Sequence, residues 1–319
     1  MSAGARALAG GGGWVVFAVL FVPNLHHGRW AAALVVLAAL VLVPLIIEIA
    51  DEPKRVSAAR QWLGWAARLQ MPAAVLLAVS FVLSPGVGAA AAAAGWATVL
   101  AMLAVSGAVQ LWHGPRLRMV EACNEAGLVF AAVGAAWVLA DRAGMRPLDF
   151  SEDIVLLTAA HFHYAGLILP VLAARALSLV ARGGVTKVIA VGVIAGVPAV
   201  AVGITATQLG WRAEVESAAA LVMSAAGIGV ALVHVQLGLG MRRSVWVRCL
   251  WMTAGCALFA GMLLAAMYGT RSFFRPWPWL DIPWMRALHG SVNAIGFAGC
   301  GTLAWWLALR RRARSGRES

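Results

Sequence analysis

Histidine is the side chain best suited to move a proton or hold a metal near neutral pH, since its unperturbed pKa is about 6.5. The chain has seven, and they are unevenly placed. His161 and His163 stand with Tyr164 in HFHYAG (161–166), and His289 opens HGSVNAIGF (289–297), which also holds Asn293. His289, Asn293, Gly296 and Cys300 follow one another by 4, 3 and 4 residues, which sets them on one stripe of a helix. His161 and His163 are about 200° apart on a regular helix of 3.6 residues per turn, so both face one site only if the helix is distorted. Thr158, His161 and Tyr164 share one face, and His163, Gly166 and Pro170 share another. Pro170 is expected to kink the helix and free a carbonyl near position 166.

A second polar group comprises His113, Glu121, Asn124, Glu125 and His234. Glu121 and Glu125 are one turn apart and are expected to face a common partner. The first group suits a small-solute site or the entrance of a proton relay, and the second its receiving end. If a metal or haem is held, His161, His163 and His289 are its candidate ligands, because haem ligation takes two histidines from different helices at similar depth. His26 and His27 would join the outer group.

No glycine-rich phosphate loop, HExxH or nucleophile elbow is present. The four cysteines, Cys123, Cys249, Cys256 and Cys300, form no CxxC pair and read as small packing residues. No catalytic residues emerge, and the expectation is that the chain is not an enzyme. It is also expected to carry no cofactor, with haem b or copper as the alternative.

The elements that position these residues follow from composition. Of 319 residues, 62% are hydrophobic and 12% charged, against about 45–50% and 25% in soluble domains. Mean hydropathy is +0.85. A membrane helix needs about 20 apolar residues. Ten such runs are legible, roughly at 9–25, 30–50, 68–84, 89–111, 119–140, 153–180, 186–209, 215–240, 246–269 and 284–309. The expected class is all-α: a polytopic helical bundle forming one transmembrane domain over 1–309, with a short basic tail at 310–319. Ser151 is expected to cap the sixth run, followed by the first-turn acids Glu152 and Asp153. The first run reads as a span rather than a cleaved signal, since no small-residue cleavage motif follows it.

The net charge of +12 reads as topology rather than as a nucleic-acid footprint. Lys and Arg concentrate in cytoplasmic loops. With ten spans, 18 of the 25 basic residues fall at the N-terminus, in the even-numbered loops and in the C-terminal tail. The other 7 are Arg29, Arg142, Arg146, Arg212, Arg271, Arg275 and Arg286. Both termini are therefore expected in the cytoplasm, with the basic tail against anionic lipid. Many of the 15 tryptophans, Trp96 and Trp112 among them, lie near span ends, where interfacial rings belong. The loop FFRPWPWLDIPW is expected to lie on or dip into the outer face. Asn124, Gly127 and Trp137 share their spacing with Asn293, Gly296 and Trp306, a hint of an inverted repeat.

The motifs HFHYAG and HGSVNAIGF, with SEDIVLLTAAHFHYAG and EACNEAG (121–127), make the chain resemble the YndJ-like family of bacterial multi-pass membrane proteins. That resemblance implies a helical protein of the bacterial cytoplasmic membrane, with a transporter label that names no substrate. HFHY also occurs in the haem-binding helix of haem–copper oxidases, but their His-Pro-Glu-Val-Tyr segment is absent here. The leading expectation is a small-solute or proton-coupled carrier. A haem- or copper-binding protein, a membrane-embedded enzyme acting on lipid and a purely structural partner are the alternatives. Expected partners are the bilayer and a small molecule, not nucleic acid. The charge bias has a direct check: a fluorescent reporter fused after Ser319 should be active, and alkaline phosphatase fused there should be inactive.

Overall fold

A computed structural model describes every residue except 23–26, 116, 181–182, 241–242, 275–276 and 316–319. His26, Arg116, Arg182, Arg242, Arg275 and Arg317 thus lie outside the described residues, as does the side chain of His27. Among the described residues there is no strand, and ten helices are long and apolar enough to cross a membrane. They are α1 (Ala3–Phe21), α2 (Gly28–Ala50), α3 (Ser57–Val82), α4 (Val87–His113), α5 (Met119–Ala143), α6 (Glu152–Leu179), α7 (Gly184–Gln208), α8 (Ala213–Gly240), α9 (Val245–Gly269) and α10 (Ile282–Arg310).

The apolar runs locate all ten, but two helices begin well before their hydrophobic cores. The α1 helix takes in Arg6, whose guanidinium donates to the carbonyl of Ala67 in α3. The α3 helix starts eleven residues earlier than hydropathy suggests, through Ala, Arg, Gln and Leu, all good helix formers. Ser151 sits at the N-cap of α6 with extended backbone, yet its side chain caps nothing. At the other end of the chain, helical backbone continues past Arg310 to Ser315, so the basic tail extends α10 rather than starting a separate segment.

The chain divides into two compact units. The first holds residues 1–117 and 124–171, the second 118–123 and 172–319. In the first unit α2 is almost wholly enclosed, and its side chains offer nothing polar between Ala31 and Ile47. Its neighbours bond to its backbone instead. Trp14 of α1 donates to Ala33 O (2.7 Å), Tyr164 of α6 to Leu34 O (2.7 Å) and Gln70 of α3 to Ala39 O (2.8 Å). Arg142, at the end of α5, donates to Ser80 O (3.1 Å) and Leu83 O (3.4 Å), closing the C-terminus of α3.

In the second unit α7, α8 and α9 run up and down beside one another, and α9 packs along α10. Arg271, just past α9, ties Glu216 at the start of α8 (2.7 Å) while Thr207 of α7 donates to the same carboxylate (2.6 Å). Burial works against the Arg271 cation, but Glu216 and Tyr268 hold its pKa above the ordinary arginine value.

Three helices carry π-helical turns: Ala38–Leu42 in α2, Phe162–Ile168 in α6, and Met285–Gly290 with Val292–Gly299 in α10. The first two share a cause. Pro44 and Pro170 each stand two residues beyond the π turn, where a missing N–H and a crowding ring disfavour the i→i+4 ladder. The backbone answers with i→i+5 bonds, Val43 N to Ala38 O and Leu169 N to Tyr164 O. The kink expected at Pro170 takes this form.

Packing of α1 on α2 depends on Gly10, where a Cβ would overlap the carbonyl of Leu40, whereas Gly11 faces open space. Gly10→Leu should lower stability by about 1–3 kcal/mol, and Gly11→Leu should leave it unchanged, read by thermal unfolding in detergent.

Candidate functional site

The π turn of α6 carries the HFHYAG motif and sets its two histidines apart. His163 is buried beside Gly134 of α5. Its Nδ1 donates to Ala159 O one turn back (2.7 Å), and its Nε2 accepts from the indole N–H of Trp96 in α4 (2.9 Å). The two rings lie nearly parallel, 12° apart. This fixes the Nδ1–H tautomer and occupies the Nε2 lone pair. His161 is half-buried and meets the Phe162 ring edge-on. Tyr164 is committed to α2, and Thr158 donates to Ile154 O (2.7 Å).

A second cluster of the first unit is ionic. Arg55, in the α2–α3 loop, turns inward and is buried. It donates to Glu125 Oε1 (2.7 Å), Ser106 Oγ (3.1 Å) and Ala50 O (3.0 Å). Asn124 Nδ2 joins Glu125 Oε1 at 2.7 Å and Ala50 O at 3.3 Å. Gln110 Oε1 accepts from Val56 N (2.8 Å), holding the loop against α4. Glu125 Oε2 and Asn124 Oδ1 are buried with no hydrogen bond among the described residues.

The second unit repeats the histidine–tryptophan arrangement. His234 of α8 donates from Nδ1 to Val230 O (2.9 Å), and Trp305 of α10 donates to its Nε2 (3.2 Å). His289 differs. Its Nδ1 lies 2.8 Å from Gly261 O in α9 and 3.3 Å from Asn293 Nδ2. A carbonyl only accepts, so the shorter contact puts the proton on Nδ1, and the longer one, donor to donor, is no hydrogen bond. Asn293 Nδ2 instead donates to His289 O (2.9 Å), inserting a side chain into the backbone ladder. That insertion accounts for the π turns of α10. Gly261 makes room for it, since a Cβ there would overlap the Asn293 carboxamide. Two acceptors remain at this point, His289 Nε2 and the buried Asn293 Oδ1, neither of them hydrogen-bonded among the described residues.

The family model described as YndJ-like protein matches residues 33–297, more than half of the chain and both histidine motifs. The chain belongs to the YndJ-like family. It is similar to the uncharacterized membrane protein YndJ of Bacillus subtilis (strain 168), 30% identical over 145 residues. That match covers 44% of this chain and 25% of the relative, so the chain spans only part of that protein's length. No solved structure matches. With ten candidate spans, the YndJ-like chain is a multi-pass membrane protein.

Several expected partnerships differ in this member of the family. Glu121 and Glu125 face different arginines: Glu121 binds Arg118 (2.9 Å) in the second unit, and Glu125 binds Arg55 in the first. His113 is exposed, and His234 is bonded to Trp305 within the second unit. Asn124 and Asn293 share a spacing but not a role, one bridging to Ala50 and the other bonding within its own helix. Trp96 is fully buried rather than interfacial, while Trp112 is 84% exposed. His163, with Nδ1 on Ala159 O and Nε2 on the Trp96 indole, has no lone pair left for iron or copper. Among the described residues no three His, Cys, Asp or Glu side chains converge as a metal site. Sequence spacing missed Trp96, Trp305, Arg55 and Ser106. An indole within a span, whose N–H needs a partner wherever the ring is buried, is the only signal that points to the first two.

Trp96→Phe and Trp305→Phe each leave a buried imidazole nitrogen unpaired. Each should lower stability by about 1 kcal/mol or more, measured by unfolding in detergent, while Trp112→Phe should change nothing.

Proposed function

We propose that this protein is a membrane carrier whose binding point for a small hydrogen-bond-donating solute, or for a proton, is the pair His289 and Asn293. One observation carries the reading: on a π-distorted membrane helix the carboxamide oxygen of Asn293 is buried without a hydrogen bond among the described residues, and His289 on the same stripe keeps an acceptor nitrogen that no described residue bonds. A bare polar group in a low-dielectric interior is costly, and π turns recur at functional sites. Two acceptors with no donor left over favour an ammonium, a hydroxyl or a proton over an anion. His163 and His234, with both nitrogens engaged, take no part in binding in this scheme. Both termini face the bacterial cytoplasm, and Arg310, stacked over Trp306 at 4.2 Å, begins the basic end that meets anionic lipid.

A carrier exposes its binding point to each side in turn. With the four native cysteines replaced by alanine, Asn293→Cys in oriented vesicles should react with a membrane-impermeant maleimide added from either face. Ile295→Cys, on the exposed side of α10, should not react. Reaction from one face alone, or from neither, would overturn the carrier reading.

A further inference from the structure

The buried cluster around Arg55 has an unbalanced half. Glu125 Oε1 takes two donors, Arg55 Nη2 and Asn124 Nδ2, both at 2.7 Å. Glu125 Oε2 and Asn124 Oδ1 take none. Both side chains are more than nine-tenths buried, Asn124 completely. The orientation of the Asn124 carboxamide is not in question, because its nitrogen lies against two oxygens that only accept, Glu125 Oε1 and Ala50 O. A carboxylate and a carboxamide are joined here by one N–H···O bond, and each has its second oxygen bare, so the pair lacks a donor that a proton would supply. A carboxylic acid and a primary amide pair through two such bonds, N–H to the acid carbonyl and acid O–H to the amide oxygen.

We infer that Glu125 and Asn124 form a proton-binding site, in which a proton taken up on Glu125 Oε2 is donated to Asn124 Oδ1. The step is a simple uptake. One proton leaves water at the membrane face on which the α2–α3 loop lies, one O–H bond forms on Oε2, and the carboxylate becomes neutral. No redox partner is needed. The charged groups that face Glu125 are Arg55, with Asp51 behind it at 4.0 Å, and Glu52, which acts on Glu125 through its charge. Arg55 keeps Ser106 Oγ, Ala50 O and Asp51 when Glu125 is neutral, so the cation is not stranded. Neutralisation weakens the one ion pair that draws Arg55 inward, which couples proton uptake to the seating of the α2–α3 loop. A metal cation fits this pocket poorly, because the Arg55 guanidinium already occupies one side of the carboxylate.

The site rests on the carrier reading for its purpose, as the coupling proton, and not for its existence. Infrared difference spectra of the full-length protein in lipid vesicles, recorded as the pH is lowered, test it directly. A protonated-carboxyl C=O band should appear that exchanges slowly with deuterium. Glu125→Gln should abolish it, and Asn124→Leu should keep the band but shift it upward as the acid loses its ring partner. Should Glu125→Gln fail to assemble, Asn124→Leu and glutamate-selective ¹³C labelling of the wild type still decide. A band unmoved by Asn124→Leu, or no slowly exchanging band before unfolding, overturns the proposal. A normal band with no two-sided maleimide access would leave the proton site standing and remove the carrier. Two-sided access without the band would do the reverse.

Discussion

A helix in hydrocarbon has little hydrophobic reason to touch its neighbour, because lipid is as apolar as leucine. The first unit relies on another attraction, side-chain donors reaching backbone carbonyls. The α2 helix shows it most clearly. Its Ala, Val, Leu and Ile side chains offer no polar handle, yet three of its carbonyls each hold a different helix through Trp14, Tyr164 and Gln70. A carbonyl has two lone pairs, so each can serve its own ladder and a neighbour at once. Pro44 and Pro170 widen the supply by forcing π turns, and Ala39 and Ala159, within or just before such turns, both accept side-chain donors. Small residues such as Gly10 then let the helices come close enough for such contacts to form.

The same constraint sorts the histidines. An imidazole brings one donor and one acceptor, which suits it to bridging two helices. His163 and His234 do this in parallel fashion, giving Nδ1–H to the carbonyl four residues back and taking an indole N–H at Nε2. Such a ring is a fastener, and its chemistry is used up by its neighbours. His289 has the same Nδ1 arrangement, though to α9 rather than to its own helix, and lacks the indole. One missing hydrogen bond therefore separates His289 from the two histidines whose nitrogens are both engaged.

Hydropathy made the ten spans legible because length and apolarity are local properties. It misjudged the starts of α1 and α3, since a helix does not end where the hydrocarbon does, and arginine can lie along it when a carbonyl such as that of Ala67 is in reach. The motif residues were legible as candidates, but not their fates. Helical spacing puts Glu121 and Glu125 on one face, yet which arginine arrives depends on Arg55 folding inward from a loop about 70 residues away in sequence. The boundary between the two compact units passes between them, at residues 123 and 124. Helical period likewise says nothing of Trp96 or Trp305, because their partners are set by crossings between helices. Regular periodicity also breaks down in the π turns that carry both motifs.

Charge deserves the same scrutiny, because an arginine that fastens the fold reports less on topology than one that merely sits in a loop. Arg55 and Arg248, on the richer side, bind Glu125 and the C-terminal carbonyl of Gly238. Arg142 and Arg271, on the poorer side, close α3 and bind Glu216. Setting these four aside leaves 16 basic residues against 5, a steeper ratio than before. Arg6 and Arg118 are claimed as well, by Ala67 O and Glu121, and without them the count is still 14 against 5, so the bias does not come from arginines that fasten the fold.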